Sequence, residues 1–210
     1  MKKILQLNQW NRKEHFDFFS KFSDPYFGLV FNVECTNAYD YCKEKENSFF
    51  LYYLFQSLKA ANICEPFKYR IENNQVVEYD VIHASPTINR HDETFGFSFM
   101  PFAGSFIEFS KSGKKEIERI RKNSGLCLNE HTMRTDVIHY SVLPWFSFTG
   151  ITHARNFEFA DSVPKITFGK YFTQNEKIML PISINAHHGL MDGYHIAAYV
   201  EVFENLLQNK

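Results

Sequence analysis

Two adjacent histidines, His187 and His188, followed after three residues by Asp192 and Gly193, form the cluster whose residue types and spacing best suit proton-transfer chemistry. An imidazole titrates at about 6.5 when unperturbed, so a histidine held at a turn is a candidate general base near neutral pH. The pair closes the stretch KIMLPISINAHHGLMDG, residues 177–193. In it Ile178, Leu180, Ile182 and Ile184 alternate as on a half-buried strand. Neighbouring side chains on a strand point to opposite faces, which keeps the two imidazoles from gripping one metal ion. A division of labour is expected, with one ring packed into the fold and the other presented at the turn as a base.

That corner has to be held by a framework. Gly189 and Gly193 are read as bracketing a tight reversal. Residues 194–208, with Ile196, Tyr199, Val200, Phe203 and Leu207 at helical spacing, predict a C-terminal amphipathic helix. Towards the N-terminus, residues 3–7 predict a short strand. Residues 12–22 predict a helix opened by an Asn11/Glu14 capping box. A strand is expected at 26–35, a polar helix at 37–45, and at 48–63 a helix apolar nearly all round and hence buried against a sheet. Asn73 and Asn74 separate segments 67–72 and 75–80 as a two-residue hairpin turn. A further strand is placed at 94–99, an amphipathic helix bent near Gly113 at 105–122, and strands at 136–143, 163–171 and 178–186. Strands and helices mix without a regular βαβ repeat. The expectation is an α/β fold, a two-layer sandwich with a mixed sheet and helices packed on one side, in a single domain over 1–210.

Composition narrows the function classes. Lys and Arg number 23 against 24 Asp and Glu, a net charge of −1, which gives no footprint for nucleic acid or an anionic membrane. The four cysteines, Cys35, Cys42, Cys64 and Cys127, are scattered without metal-ligand spacing and are read as reduced structural thiols, and no metal is expected. Neither a secretory h-region nor a membrane-spanning apolar run is seen, so a cytoplasmic location is expected. With 23 Phe and 11 Tyr, the aromatic surplus suits a core, an apolar pocket or a subunit interface.

Five segments, in order along nearly the whole chain, now line up with one family: WNRKEHF (10–16), YDVIHASPTINRHDETF (79–95), SVLPWFSFT (141–149), ITFGKY (166–171) and LPISINAHHGLMDGYH (180–195). The sequence resembles the chloramphenicol acetyltransferases, CoA-dependent acyltransferases with an HHxxxDG motif. The resemblance implies acetyl transfer from acetyl-CoA, as co-substrate, directly to the hydroxyl of a small acceptor, with chloramphenicol the first candidate. It implies His188 as general base and Ser141 as donor to the oxyanion. Thr167 would hold a water near the same intermediate, and Asp192 would pair with Arg12 to fix the turn. Lys170 and Tyr171 match positions that contact CoA, a cation for phosphate and a ring for adenine. No Walker or Rossmann glycine loop is present, so CoA is expected in a channel.

The acceptor pocket implied by the resemblance comprises Phe19, Ser23, Pro25, Phe95 and His153. At four of these the familiar enzymes carry other residues: Tyr for Phe19, Leu for Ser23, Cys for Pro25 and Leu for His153. Such exchanges shift acceptor preference, because an unpaired buried donor costs about 1–3 kcal/mol. Related enzymes with two fused halves build one site between domains, so a chain of this length is expected to form a homotrimer with interfacial sites. Two other readings are an acceptor other than the antibiotic and a non-catalytic CoA- or ligand-binding trimer. The 2-oxoacid dehydrogenase acyltransferases share HxxxDG but normally carry a lipoyl domain and linker, which these residues do not contain.

Overall fold

The alternating segments become strands and the 3.6-periodic ones helices. In the computed structural model, which describes residues 1–157 and 161–209, the order is β1 (Lys2–Ile4), α1 (Lys13–Phe19), β2 (Tyr26–Glu34), α2 (Thr36–Glu44), α3 (Phe49–Ile63), β3 (Tyr69–Glu72), β4 (Gln75–Tyr79), β5 (His83–Asn89), β6 (Phe95–Phe97), α4 (Phe106–Lys122), β7 (Val137–Val142), β8 (Lys165–Phe168), β9 (Phe172–Gln174), β10 (Lys177–His187) and α5 (Gly193–Gln208). A mixed sheet of seven strands runs β2-β10-β8-β7-β5-β6, with β9 paired to the start of β10. A smaller antiparallel sheet runs β1-β4-β3.

The long strand β10 organises the large sheet. Its start pairs with β9, its later part with β8, and its whole length from Met179 to His187 with β2. Leu180, Ile182, Ile184 and Ala186 are fully buried against the helical layer, where α3 is the central element. Leu51, Leu54 and Leu58 of α3 have essentially no exposed surface, as expected for a helix apolar all round. One polar knot lies in this layer: Ser57 Oγ is 3.0 Å from Tyr140 OH and 2.6 Å from Tyr199 OH, tying α3 to β7 and α5. Arg70, wholly buried, donates to the carbonyls of Phe67, Tyr69, Thr135 and Val137 and so links the small sheet to β7.

The opposite face of the large sheet is polar. Register places Ser141, Thr167 and Ser183 side by side on β7, β8 and β10, with His139, Lys165 and Asn185 in the adjoining row. The connection from β7 to β8, free of regular structure among its described residues, crosses this face.

Local readings are corrected in four places. No side-chain bond caps α1, so the Asn11/Glu14 box does not form. Arg12 is the N-cap, and its side chain is turned to the histidine corner instead. The helix α4 is continuous through Gly113. A Cβ there would lie 2.8 Å from Leu51 Cδ2, so the glycine serves close approach of α4 to α3, not a bend. The strand expected at 163–171 is shorter, β8 alone, and a further short strand, β9, follows it and turns at Asn175 and Glu176, both in the left-handed region, into β10. Finally, neither Gly189 nor Gly193 has a positive φ. A Cβ on Gly189 would meet His187 Cε1 at 3.0 Å and Phe16 Cα at 3.3 Å, so the glycine serves close packing of the turn against α1. The Asn73–Asn74 hairpin turn forms as expected, with φ of 49° and 60°.

Candidate active site

The two histidines at the end of β10 have separate environments. His187 is 4% exposed, and its Nδ1 accepts from the Gly189 amide at 3.1 Å. Its carbonyl accepts from Leu190 and Met191 N–H, closing the turn. Burial, aided by the Arg155 charge, pushes its pKa down to about 4, so the ring stays neutral at ordinary pH. His188 donates its amide to Pro25 O at 2.8 Å. Its ring is clamped between Phe19, stacked at 4.0 Å and 9°, and Phe27 at 4.5 Å. Its Nδ1 is buried without a partner among the described residues, while the ring as a whole is half-buried. The exposed edge therefore carries Nε2. A ring fixed on two faces with one nitrogen open has the geometry of a positioned base.

A second layer fixes the turn. Arg12, whose side chain is buried, donates Nη1 to Asp192 Oδ2 at 2.5 Å and Nη2 to the His188 carbonyl at 3.1 Å. Asp192 is also the N-cap of α5, accepting from Tyr194 N at 3.0 Å and sitting 2.8 Å from His195 Nδ1. Burial works against the Asp192 charge, but Arg12, by hydrogen bond and charge, outweighs it together with His195 and holds the carboxyl at about 2. His195 escaped the sequence reading. Its place three residues after an N-cap aspartate is capping-box spacing, a signal hidden because Glu or Gln usually stands there.

Ser141 and Thr167 are direct neighbours on β7 and β8. Thr167 is fully buried and its hydroxyl has no hydrogen-bond partner among the described residues, while Ser141 is half-buried. They stand apart from His188. Ser183, in the same row, lies about 16 Å back along β10 from the imidazole at about 3.3 Å per residue, and Ser141 is two strands further across. One chain thus does not bring His188 and Ser141 together.

The residues read as an acceptor pocket are likewise divided. Phe19 stacks on His188. Ser23 and Pro25 line a cavity of about 450 Å³ with Phe16, Phe22 and His187. His153 lines another of about 520 Å³ with Tyr26, Lys165, Ser183 and Asn185, its Nε2 buried and unpartnered among the described residues. Burial lowers its pKa, with Lys165 adding to the effect. Phe95 is 43% exposed on β6, at the opposite edge of the sheet and roughly 20 Å from β10.

Lys170 and Tyr171 come together as expected, in a cavity of about 540 Å³ that also has Phe49, Phe50 and Tyr53 in its wall. Tyr171 contacts the rings of Tyr39 and Phe49. Aromatic walls with an exposed cation fit a nucleotide thioester such as acetyl-CoA. Among the described residues no group of three or more His, Cys, Asp or Glu is placed to hold a metal ion, and no helix is long and apolar enough to cross a membrane. Cys35 and Cys42 are buried, which pushes their thiols up to about 12 and about 11.

Residues 2–204 match the profile of the family described as chloramphenicol acetyltransferase. A chloramphenicol acetyltransferase of Bacillus pumilus is 31% identical over 199 residues, covering 94% of this chain and 90% of that protein. One of Campylobacter coli is 28% identical over 211 residues, 97% of each. A solved chloramphenicol acetyltransferase structure superposes with a TM-score of 0.91 at 30% identity, over 99% of this chain and 100% of the other. A dihydrolipoamide acetyltransferase of Azotobacter vinelandii, 15% identical, shares the fold with a TM-score of 0.70 over 100% and 90%.

Proposed function

The chain belongs to the chloramphenicol acetyltransferase family, and on that premise we propose that it moves an acetyl group from acetyl-CoA to a hydroxyl of a small acceptor, chloramphenicol being the first to test. The observation that carries the reading is the His188 ring, clamped by Phe19 and Phe27 with one nitrogen buried and the other open.

His188 Nε2 takes the acceptor hydroxyl proton as the acceptor oxygen bonds to the thioester carbonyl carbon. The Ser141 hydroxyl donates to the carbonyl oxygen as it gains negative charge, and Thr167, with its unpartnered hydroxyl, supports a water beside it. When the C–S bond breaks, the imidazolium returns its proton to the departing thiolate. Arg12 and Asp192 take no proton; they hold the turn that aims the ring. Removing one oxyanion donor costs about 10²–10³ in rate in comparable sites.

The separation of Ser141 from His188 supports a site shared between copies, His188 from one and Ser141 from the next, in a closed homotrimer. Exposed Phe18, Phe22, Trp145 and Phe146 give apolar surface for such contacts. The protein would work in the cytoplasm, where acetyl-CoA is made. A different hydroxylated acceptor is favoured by one observation, the buried and unpartnered His153 Nε2, which offers a hydrogen bond that leucine cannot. The test is thiol release from acetyl-CoA with chloramphenicol and a panel of small alcohols, with His188→Ala as control. Release by wild type that persists in the folded variant overturns the reading, as does a monomer that turns over.

A further inference from the structure

Six of the seven arginines are engaged within the chain. Arg12 and Arg155 pair with Asp192 and Asp24, Arg119 and Arg134 with Glu116 and Asp136, and Arg70 and Arg90 donate to main-chain carbonyls. Arg121, near the end of α4, has no hydrogen bond or ion pair among the described residues. It lines the same cavity as Lys170, whose ammonium is likewise unpaired, and no carboxylate shares that wall. A second cavity of about 500 Å³ adjoins through Phe50, Ile117 and Arg121 itself and adds Lys114, together with Glu118, which is paired with Lys122. Phe49 and Phe50, the first residues of α3, lie in the first wall and its N-cap Ser48 in the second, so the N-terminal turn of a 15-residue helix borders the two cavities. Two unpaired cations, a helix N-terminus and aromatic rings around one hollow suit a ligand bearing both phosphates and a purine. A guanidinium fork matches phosphate oxygens better than an ammonium does.

We propose that Arg121 grips a phosphate at the nucleotide end of coenzyme A, opposite Lys170, and sets the preference for CoA over phosphate-free thioesters. The proposal rests on reading this cavity as the acetyl-CoA site. It is tested by equilibrium binding, without an acceptor, of CoA, dephospho-CoA and pantetheine to wild type, Arg121→Ala and Arg121→Lys. Arg121→Ala is expected to weaken CoA about tenfold, a normal loss for a charge-assisted hydrogen bond at an open site, and to leave pantetheine unchanged. Arg121→Lys recovers part of the loss, and raising salt narrows the gap between wild type and Arg121→Ala. A loss that vanishes with dephospho-CoA assigns the contact to the 3′-phosphate; one that persists assigns it to the diphosphate. Equal CoA affinity in wild type and Arg121→Ala overturns the proposal, as does a proportional loss of pantetheine. Failure of wild type to bind CoA at all overturns the acetyl-CoA reading itself, which separates the two.

Discussion

At the His188 corner the groups that set the imidazole are bonded within the chain, whereas the row of Ser141 and Thr167 is left open. Pro25 O, Phe19, Phe27, Arg12 and Asp192 define one ring position. Thr167 buries a hydroxyl completely without a partner among the described residues, and the corner likewise buries His188 Nδ1 and Arg12 Nε unpartnered. A buried polar atom left unmatched costs about 1–3 kcal/mol and in native proteins marks water, ion or ligand positions. Both regions therefore keep unmatched buried atoms, and the difference is that the corner's ring is held by contacts made within the chain. If His188 and Ser141 act in one site, as proposed, another copy has to bring one to the other.

The sharpest break of this comparison is His188→Ala. Loss of a general base is expected to lower turnover by about 10²–10⁴, with a modest fall in unfolding midpoint from the lost packing on Phe19 and Phe27, since the ring closes no hydrogen bond that holds the fold. Thiol release and thermal melting together check it. Ser141→Ala should lower kcat by about 10²–10³, again in a folded protein. Co-expressing the two variants tests the division directly. If each site draws His188 and Ser141 from different copies, mixed oligomers regain about a quarter of wild-type turnover, since half the copies on each side of an interface are intact. No recovery would place both residues in one chain's site and erase the contrast.

The Arg12–Asp192 pair comes next. Asp192→Asn leaves a buried guanidinium without its anion, a loss of about 3–5 kcal/mol by analogy with other buried pairs. Urea midpoints read this, and activity should fall as the turn loosens. Wild type should show the same dependence in acid. Asp192 titrates below its ordinary value, so its contribution is complete above an unfolded carboxylate pKa of about 3.9 and fades as pH falls towards about 2.

The corner was the most legible part of the sequence because a strand pattern, a histidine pair and an aspartate lie within one short segment. That the two rings part company followed from strand alternation, whereas the choice of His188 as the presented one came from the family resemblance. What the sequence hid was distance. Phe95 and His153 align with a pocket in a one-dimensional pattern, yet sheet order puts Phe95 at the far edge and the crossing loop puts His153 over the polar face. The Asn11/Glu14 box failed for a related reason. Its spacing was right, but α1 opens at Arg12, whose side chain is held by Asp192 across the fold. Local rules cannot see a partner 180 residues away.

His187 gives a smaller effect with a distinct window. Its ring is neutral in the fold and would charge on unfolding, so the unfolded chain binds more protons between about 4 and about 6.5. Stability from this residue is full above about 6.5 and is lost as pH falls towards about 4, by roughly 2–4 kcal/mol. His187→Gln, with an amide oxygen to accept from Gly189 N, should flatten that slope while lowering stability at pH 7. An unchanged slope would mean that other groups set the acid limit.

The smallest expected effect tests how redundant the corner is. His195 Nδ1 is 2.8 Å from Asp192 Oδ1 and 3.2 Å from Asp192 N, and one ring nitrogen cannot both donate to the carboxylate and accept from the backbone N–H. The shorter one faces an ionised carboxylate, so Nδ1 carries the hydrogen and donates. His195→Ala then removes one of three bonds on Asp192 while the Arg12 and Tyr194 bonds stay. The expected loss is about 0.5–2 kcal/mol, the range for a helix N-cap interaction, with kcat reduced less than about tenfold. His195→Gln should restore most of it, because its side-chain amide N–H can donate to the same carboxylate. Melting curves and thiol release read both variants. If His195→Ala instead matched His188→Ala in lost turnover while remaining folded, the corner would depend on a second imidazole in the chemistry, and its description as a ring held by redundant bonds would fail.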